Sequence, residues 1–205
     1  RLPGTDEPTD FSAGGEAYGR FLLDVFEQWA ARDVGRVSVR MIDDAIHTLL
    51  YGQASTCVHS ERCAAAHVLE FNGDLYACDH FVYKEWKLGN ILETPLVELV
   101  SSDRLEEFAR LKTDLPAACR ECEFLAFCRA GCPKHHRPIG TDEARWNHFC
   151  EGYKLFYREA LPELRSIAAT IKNGRLPARR SAAEAAPAGD PGEMRVRPGP
   201  MPGKV

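Results

Sequence analysis

Residues 119–132 read CRECEFLAFCRAGC, four cysteines at the spacing C-x2-C-x5-C-x3-C, and Cys57, Cys63, Cys78 and Cys150 bring the total to eight in 205 residues. Thiols this crowded pair as disulfides, hold zinc, or hold iron–sulfur clusters. Eight is even, so four disulfides are possible by arithmetic. Dense disulfide frameworks, however, belong to short secreted domains without a sufficient core, and a chain of this length with 44% hydrophobic residues can bury one. Cys119-x2-Cys122 is half of a four-cysteine zinc knuckle, but the second C-x2-C pair that a zinc ribbon supplies is missing from the sequence. Iron–sulfur ligation suits the spacing better. A cubane presents several iron corners within a few ångströms, so closely spaced thiolates can wrap it, and eight thiolates fill two.

Elements must carry these thiols. In EAYGRFLLDVFEQWAARDVG the residues Tyr18, Phe21, Leu22, Val25, Phe26 and Trp29 recur at three and four, which predicts a helix ended by Gly35. RVSVRMIDD alternates Val37, Val39 and Met41 with polar residues as a strand does, and DDAIHTLLYG predicts a short helix capped by Asp43. Helix, strand, helix is the grammar of a barrel or doubly wound sheet whose remaining strands this chain lacks. From residue 57 the pattern changes. HVLEFNGDLYACD places β-formers on both sides of Asn72-Gly73, predicting a hairpin over 67–78 with a type I′ turn and Cys78 at its far end. TPLVELVSSDRLEEFARL reads as one or two helices. A final helical region is expected from Thr141, its stripe running through Trp146, Phe149, Cys150, Tyr153, Phe156, Tyr157, Leu161, Leu164 and Ile167, with a kink or restart at Pro162. Beyond about Arg175 the Ala, Pro, Gly and Arg composition cannot offset the entropy of ordering, so that tail is expected to be disordered.

A net charge of −4 from 26 basic and 30 acidic side chains leaves no broad cationic surface, which argues against nucleic acid and anionic membranes as partners. No apolar run approaches the roughly 18 residues of a membrane helix. The chain opens RLPGTDEPTD without an initiating Met, as a piece of something longer does.

The intervals Cys63-x9-Gly73-x4-Cys78, then Cys119-x2-Cys122-x5-Cys128-x3-Cys132, then Cys150, resemble the seven-cysteine SPASM domain of radical S-adenosylmethionine (SAM) enzymes that modify peptides and proteins, with Cys57 as an eighth thiol. The fuller run CVHSERC…LEFNGDLYACDHFVYKEWKLGNI…CRECEFLAFCRAGCPKHHR most resembles the anaerobic sulfatase-maturating enzymes, and the likeness covers roughly residues 15–172. The resemblance implies two auxiliary 4Fe–4S clusters with interleaved ligands, one on Cys57, Cys63, Cys78 and Cys132, the other on Cys119, Cys122, Cys128 and Cys150. It implies an α+β fold: the end of a partial (β/α) radical SAM barrel over 1–52, a SPASM domain with a hairpin and cysteine-rich loops over 53–140, a C-terminal helical region over 141–174 that completes the second cluster, and the tail over 175–205.

Radical SAM enzymes bind the cofactor on a cluster held by C-x3-C-x2-C. Cys128-x3-Cys132 begins that pattern, but Pro133, Lys134 and His135 follow, so SAM and the third 4Fe–4S cluster are expected only in a full-length enzyme, and this chain alone is expected to be inactive. For that enzyme the resemblance implies oxidation of a Cys or Ser of a sulfatase to Cα-formylglycine. A 5′-deoxyadenosyl radical takes hydrogen from the substrate Cβ, Asp79 takes the proton as general base, and the auxiliary clusters carry away an electron. A sulfatase polypeptide, an external electron donor or acceptor and a cytoplasmic location go with it. Two other readings stay open: the SPASM domain of another radical SAM maturase, or a non-catalytic zinc or iron–sulfur interaction module. An Asp after a hairpin is also commonly a turn residue. His135 and His136 beside Cys132 suit solvated or supporting roles, and Arg129, Lys134 and Arg137 form a locally basic loop that could offset cluster charge.

Overall fold

The computed structural model describes residues 8–63, 66–113, 115–139 and 142–174, with the backbone alone described for 137–139 and 142–145. In chain order, helices α1 (Gly15–Arg32) and α2 (Arg40–Tyr51) precede the strands β1 (Val68–Leu69), β2 (Asp74–Tyr76) and β3 (Lys87–Asn90). Short helices α3 (Leu96–Leu99), α4 (Asp103–Ala109), α5 (Ala117–Arg120) and α6 (Leu125–Cys128) follow, then the strand pair β4 (His136–Ile139) and β5 (Asp142–Asn147), and last the long helix α7 (Cys150–Lys172). The mixed helix-and-sheet character agrees with the sequence. No helix among the described residues is long and apolar enough to cross a membrane. The expected tail at 175–205 lies outside the described residues.

Two packed regions hold the cysteine loops. The larger joins the ends of the chain: Leu22, Phe26 and Trp29 of α1, Ile42, Ala45 and Ile46 of α2, and Tyr153, Phe156, Tyr157, Leu161, Leu164 and Ile167 of α7 share one buried core, with Phe124 and Phe127 beneath. The smaller gathers Cys63, Ala77, Leu105 and Phe108 under the three-stranded antiparallel sheet β1-β2-β3, and the rings of Phe81 and Trp86 lie 5.2 and 5.1 Å from that of Phe108. Ser102 caps α4 by accepting the Leu105 N–H, at the second of the two helices expected in that segment.

Several sequence expectations need correction. Val37–Met41 is not a strand, and among the described residues before position 53 there is none. Arg36 and Val37 donate their N–H groups to the Asp33 carbonyl, Trp29 Nε1 bonds back to the Val37 carbonyl, and Val39 already starts α2. Three alternating residues were too short a signal against a helix whose Ile42, Ala45 and Ile46 have 3.6-residue spacing. Asp43 therefore lies inside the first turn of α2 and does not cap it. The hairpin turn is one residue longer than type I′: the Glu70 N–H bonds the Asp74 carbonyl, Gly73 N–H bonds the Glu70 carbonyl, and of the loop residues only Gly73 has positive φ, at 88°. That is a type I turn closed by a left-handed glycine. Residues 142–147 form β5 against β4, so the last helix starts at Cys150; Trp146 pairs across the strands with Arg137. Pro162 interrupts nothing: α7 runs through it, and it lies on the helix's exposed face, where the Arg158 carbonyl it leaves without a helical partner is not buried.

α1 and α7 touch backbone to backbone. A Cβ on Gly19 would lie 2.6 Å from Gly152 Cα, and one on Gly152 would lie 2.2 Å from the Gly15 carbonyl oxygen. This approach fixes where α7 begins, and Cys150 is its first residue. Gly152→Ala has only backbone to push against, so it should cost about 1–3 kcal/mol of stability, read in chemical denaturation; an unchanged midpoint would show that the helices do not approach this closely.

Candidate metal centres

All eight cysteines are free thiols. Burial above all pushes the Cys63 thiol up to about 12; the Lys112 ammonium pulls it down, and the thiols of Cys132, Cys78 and Cys57 push it up. Burial likewise pushes Cys128 up to about 12, and the thiols that add to it are Cys150, Cys119 and Cys122. Cys150 is raised to about 11 by burial, with Lys154 opposing and Glu151, Cys119 and Cys122 adding. Cys132, raised by burial, feels Cys57 and Asp79. These mutual influences link Cys63 with Cys57, Cys78 and Cys132, and Cys128 with Cys119, Cys122 and Cys150. Cys119, Cys122, Cys128 and Cys150 line one pocket, with Trp146 and Lys154 at its side.

Chain geometry accounts for the split. Cys128 ends α6, and Arg129, Ala130 and Gly131 then follow with φ of 44°, 59° and 64°. Three left-handed residues reverse the chain before Cys132. Such a conformation costs non-glycine residues about 1–2 kcal/mol each, and local bonds hold it: the Asn147 amide donates to the Ala130 carbonyl at 2.9 Å, His136 Nε2 contacts the same oxygen at 2.8 Å, and Arg129 pairs with Glu61 at 2.7 Å. Gly131 has no substitute here, since a Cβ would lie 2.3 Å from Asn147 Nδ2. Beyond the reversal, Cys132 Sγ stands 3.7 Å from His80 Nδ1 at the end of the hairpin.

The Cys57 loop hangs from α2. Buried Asp44 accepts bonds at Oδ1 from the Ser55 N–H, the Ser55 hydroxyl and the Thr56 N–H, and at Oδ2 from the Thr56 hydroxyl and from His59 Nδ1 at 2.6 Å. Lys112, 2% exposed, donates to the carbonyls of Cys57 and Val58 at 3.1 and 2.7 Å. Sequence reasoning missed both. Their signal was a charged residue on an apolar stripe: Lys112 follows Leu105 and Phe108 at helical spacing, and Asp44 shares a face with Thr48.

Asp79 begins the short 3-10 turn after Cys78 and is exposed. Its Oδ1 accepts from the Cys78 thiol at 3.2 Å and from the His80 N–H at 2.9 Å, and these bonds, the thiol's first, hold the carboxyl below its ordinary range. A thiol at Cys78 can donate that bond; a metal-bound thiolate cannot, so Asp79 Oδ1 is released when Cys78 is a ligand. Of the other candidates, His136 supports the reversed turn, and Lys134 lies over the ring of Tyr83, 4.3 Å from its centroid.

Burial above all raises the thiols of Cys63, Cys78, Cys119, Cys128, Cys132 and Cys150 and keeps them protonated. As thiolates they need cationic charge at their centre, and four-thiolate sets suit 4Fe–4S clusters.

Comparison with known proteins agrees in kind. Residues 57–123 match the SPASM family, an iron–sulfur cluster-binding domain. The serine-type anaerobic sulfatase-maturating enzyme of Bacteroides thetaiotaomicron is 37% identical over 171 residues, 82% of this chain and 41% of that enzyme. The chain is a homologue of the anaerobic sulfatase-maturating enzymes. The cysteine-type enzyme of Clostridium perfringens is 30% identical over 165 residues, 80% of this chain and 45% of that enzyme. The solved structure of native anSMEcpe with bound AdoMet and Cp18Cys peptide superposes with a TM-score of 0.73 at 29% identity, over 80% of this chain and 46% of that chain. The chain therefore spans less than half the length of these maturase relatives. The SPASM match contains Cys57, Cys63, Cys78, Asp79, Cys119 and Cys122, while Cys128, Cys132 and Cys150 lie past its end.

Asp44 gives a test of the loop support. Burial disfavours its charge, but the bonds from His59, Thr56 and Ser55 outweigh that and hold its carboxyl far below the ordinary value of 3.8. A depressed carboxyl contributes stability above its unfolded value and loses it as pH falls below that value. Asp44→Asn should cost about 3 kcal/mol or more at pH 7, and the deficit should shrink at pH 3; an equal deficit at both pH values would contradict the charged node.

Proposed function

We propose that this chain is the auxiliary-cluster part of a radical SAM enzyme that oxidises a Cys or Ser of a sulfatase to Cα-formylglycine. The observation that carries the reading is the placing of Cys119, Cys122, Cys128 and Cys150 around one pocket while Cys57, Cys63, Cys78 and Cys132 influence one another elsewhere. The names of the relatives and the peptide and AdoMet bound by anSMEcpe support the substrate class and the cofactor. Cys57, Cys63, Cys78 and Cys132 would hold one 4Fe–4S cluster, and Cys119, Cys122, Cys128 and Cys150 the other. Such clusters, when bound, accept and pass single electrons.

The division of residues follows from this. Residues 1–52 form the end of the barrel region, contributing two helices; 53–140 are the SPASM domain; and 141–174 complete the second cluster. SAM and a third cluster belong to the rest of the full-length enzyme, an external donor or acceptor closes the electron circuit, and eight free thiols suit the reducing cytoplasm.

Asp79 is the general base. Conversion of a serine side chain to an aldehyde removes one hydrogen atom from Cβ, one proton from the hydroxyl and one electron. An Asp79 oxygen would take the proton, while the SAM-derived group of the full-length enzyme would supply the acceptor for the hydrogen atom and the auxiliary clusters the acceptor for the electron. A cysteine follows the same course to a thioaldehyde, which water converts to the aldehyde with release of hydrogen sulfide. An exposed, ionised carboxylate next to a ligand of the first cluster puts proton acceptor and electron acceptor side by side.

Reconstituted without air, the chain should hold about eight iron and eight sulfide; stoichiometric zinc without sulfide would overturn the proposal. In a full-length enzyme, Asp79→Asn should leave 5′-deoxyadenosine formation intact while formylglycine falls by about a hundredfold or more, with iron content unchanged. Formylglycine near the unmodified rate, with both clusters present, would make Asp79 a turn residue only.

A further inference from the structure

Lys112 is the only lysine or arginine among the buried charged residues of the described chain. Its ammonium is 2% exposed and is held by two neutral acceptors, the carbonyls of Cys57 and Val58. Among the described residues no carboxylate pairs with it. A buried cation without a counter-anion is costly, and the usual remedy is an ion pair. Burial pulls its ammonium below the ordinary lysine range, and the groups whose negative charge opposes that are thiols: Cys63, Cys132, Cys128 and Cys57, in that order. Cys63 and Cys132 feel the ammonium in return. Three of these four thiols belong to the first set. The cation that Cys119 and Cys150 of the second set feel, Lys154, is partly exposed and pairs with Glu151 at 3.2 Å.

We infer that Lys112 is a built-in counter-cation for the cluster on Cys57, Cys63, Cys78 and Cys132, and that its charge makes this cluster easier to reduce. The inference rests on the cluster assignment proposed above. A 4Fe–4S cluster on four thiolates is a dianion in its oxidised state and a trianion after taking one electron. A fixed ammonium in a region of low dielectric stabilises the trianion more than the dianion, so the reduction potential rises. The electron is the one released when the substrate is oxidised, and no proton moves at Lys112. The carbonyl bonds hold the ammonium in place and at the same time attach the Cys57 loop to the residues after α4. Lys112 is a positioning residue that acts through the cluster.

The test is a redox titration of the anaerobically reconstituted chain, followed by electron paramagnetic resonance, on Lys112→Gln, Lys112→Met and Lys112→Arg. Gln keeps a donor for the two carbonyls and removes only the charge. At fixed potential the ratio of reduced to oxidised first cluster should fall at least about tenfold in Gln and Met, which is 59 mV for a one-electron couple, while Arg restores it and the second cluster moves less. A Gln variant that loads both clusters and titrates like the unmodified chain overturns the inference. If Gln and Met fail to load the first cluster while Arg loads it, the charge is needed to hold the cluster at all, which supports the inference. Failure of Arg as well makes the role one of packing and overturns it. If the unmodified chain takes up no iron and sulfide, the cluster proposal itself has failed, an outcome separate from these.

Discussion

Between Cys128 and Cys132 the backbone runs through three successive left-handed residues, and the division of the thiols depends on that reversal. Had α6 continued for one more turn, Cys128 and Cys132 would stand four apart on one helix face and would meet the same metal. Arg129 and Ala130 bear a conformation that side chains disfavour, so the turn persists only because Asn147, His136 and Glu61 hold it. Those three come from β5, β4 and the Cys57–Cys63 loop. The reversal is therefore tied to the segments it connects.

The proposed interleaving would also explain how a chain with modest regular structure becomes one body around its cysteines. The first set draws on the loop after α2, the end of the hairpin and the residue after the turn. The second draws on α5, α6 and the start of α7. A cluster in either place, as proposed, would cross-link segments far apart in sequence, and its binding energy would be folding energy. The protein frame prepares both: the glycine contact between α1 and α7 sets the position of Cys150, and Asp44 sets that of Cys57.

The cysteines and their spacing were legible in the sequence because ligand chemistry tolerates few residue types. The long helices were legible because α1 and α7 carry regular stripes. What was not legible came from short segments and tertiary compensation. Val37 to Met41 alternates like a strand, but the Trp29 indole and the Asp33 carbonyl draw it into a turn. Trp146 falls on the stripe of α7, yet the pairing of β5 with β4 takes it out of the helix. Lys112 and Asp44 look like solvated charges until the fold buries them against the Cys57 loop. The reversal at 129–131 had one faint mark, Gly131, while Arg129 and Ala130 gave no warning of a left-handed backbone.

The claim on which the account rests is that neighbours in sequence separate and distant cysteines join. Single alanine replacements at Cys78, Cys128, Cys132 and Cys150, each reconstituted without air and compared by Mössbauer and electron paramagnetic resonance spectra, test it most directly. The account predicts that Cys132→Ala perturbs the same cluster as Cys78→Ala, and that Cys150→Ala perturbs the same cluster as Cys128→Ala. If Cys128→Ala and Cys132→Ala perturb one and the same cluster, the interleaved assignment is contradicted.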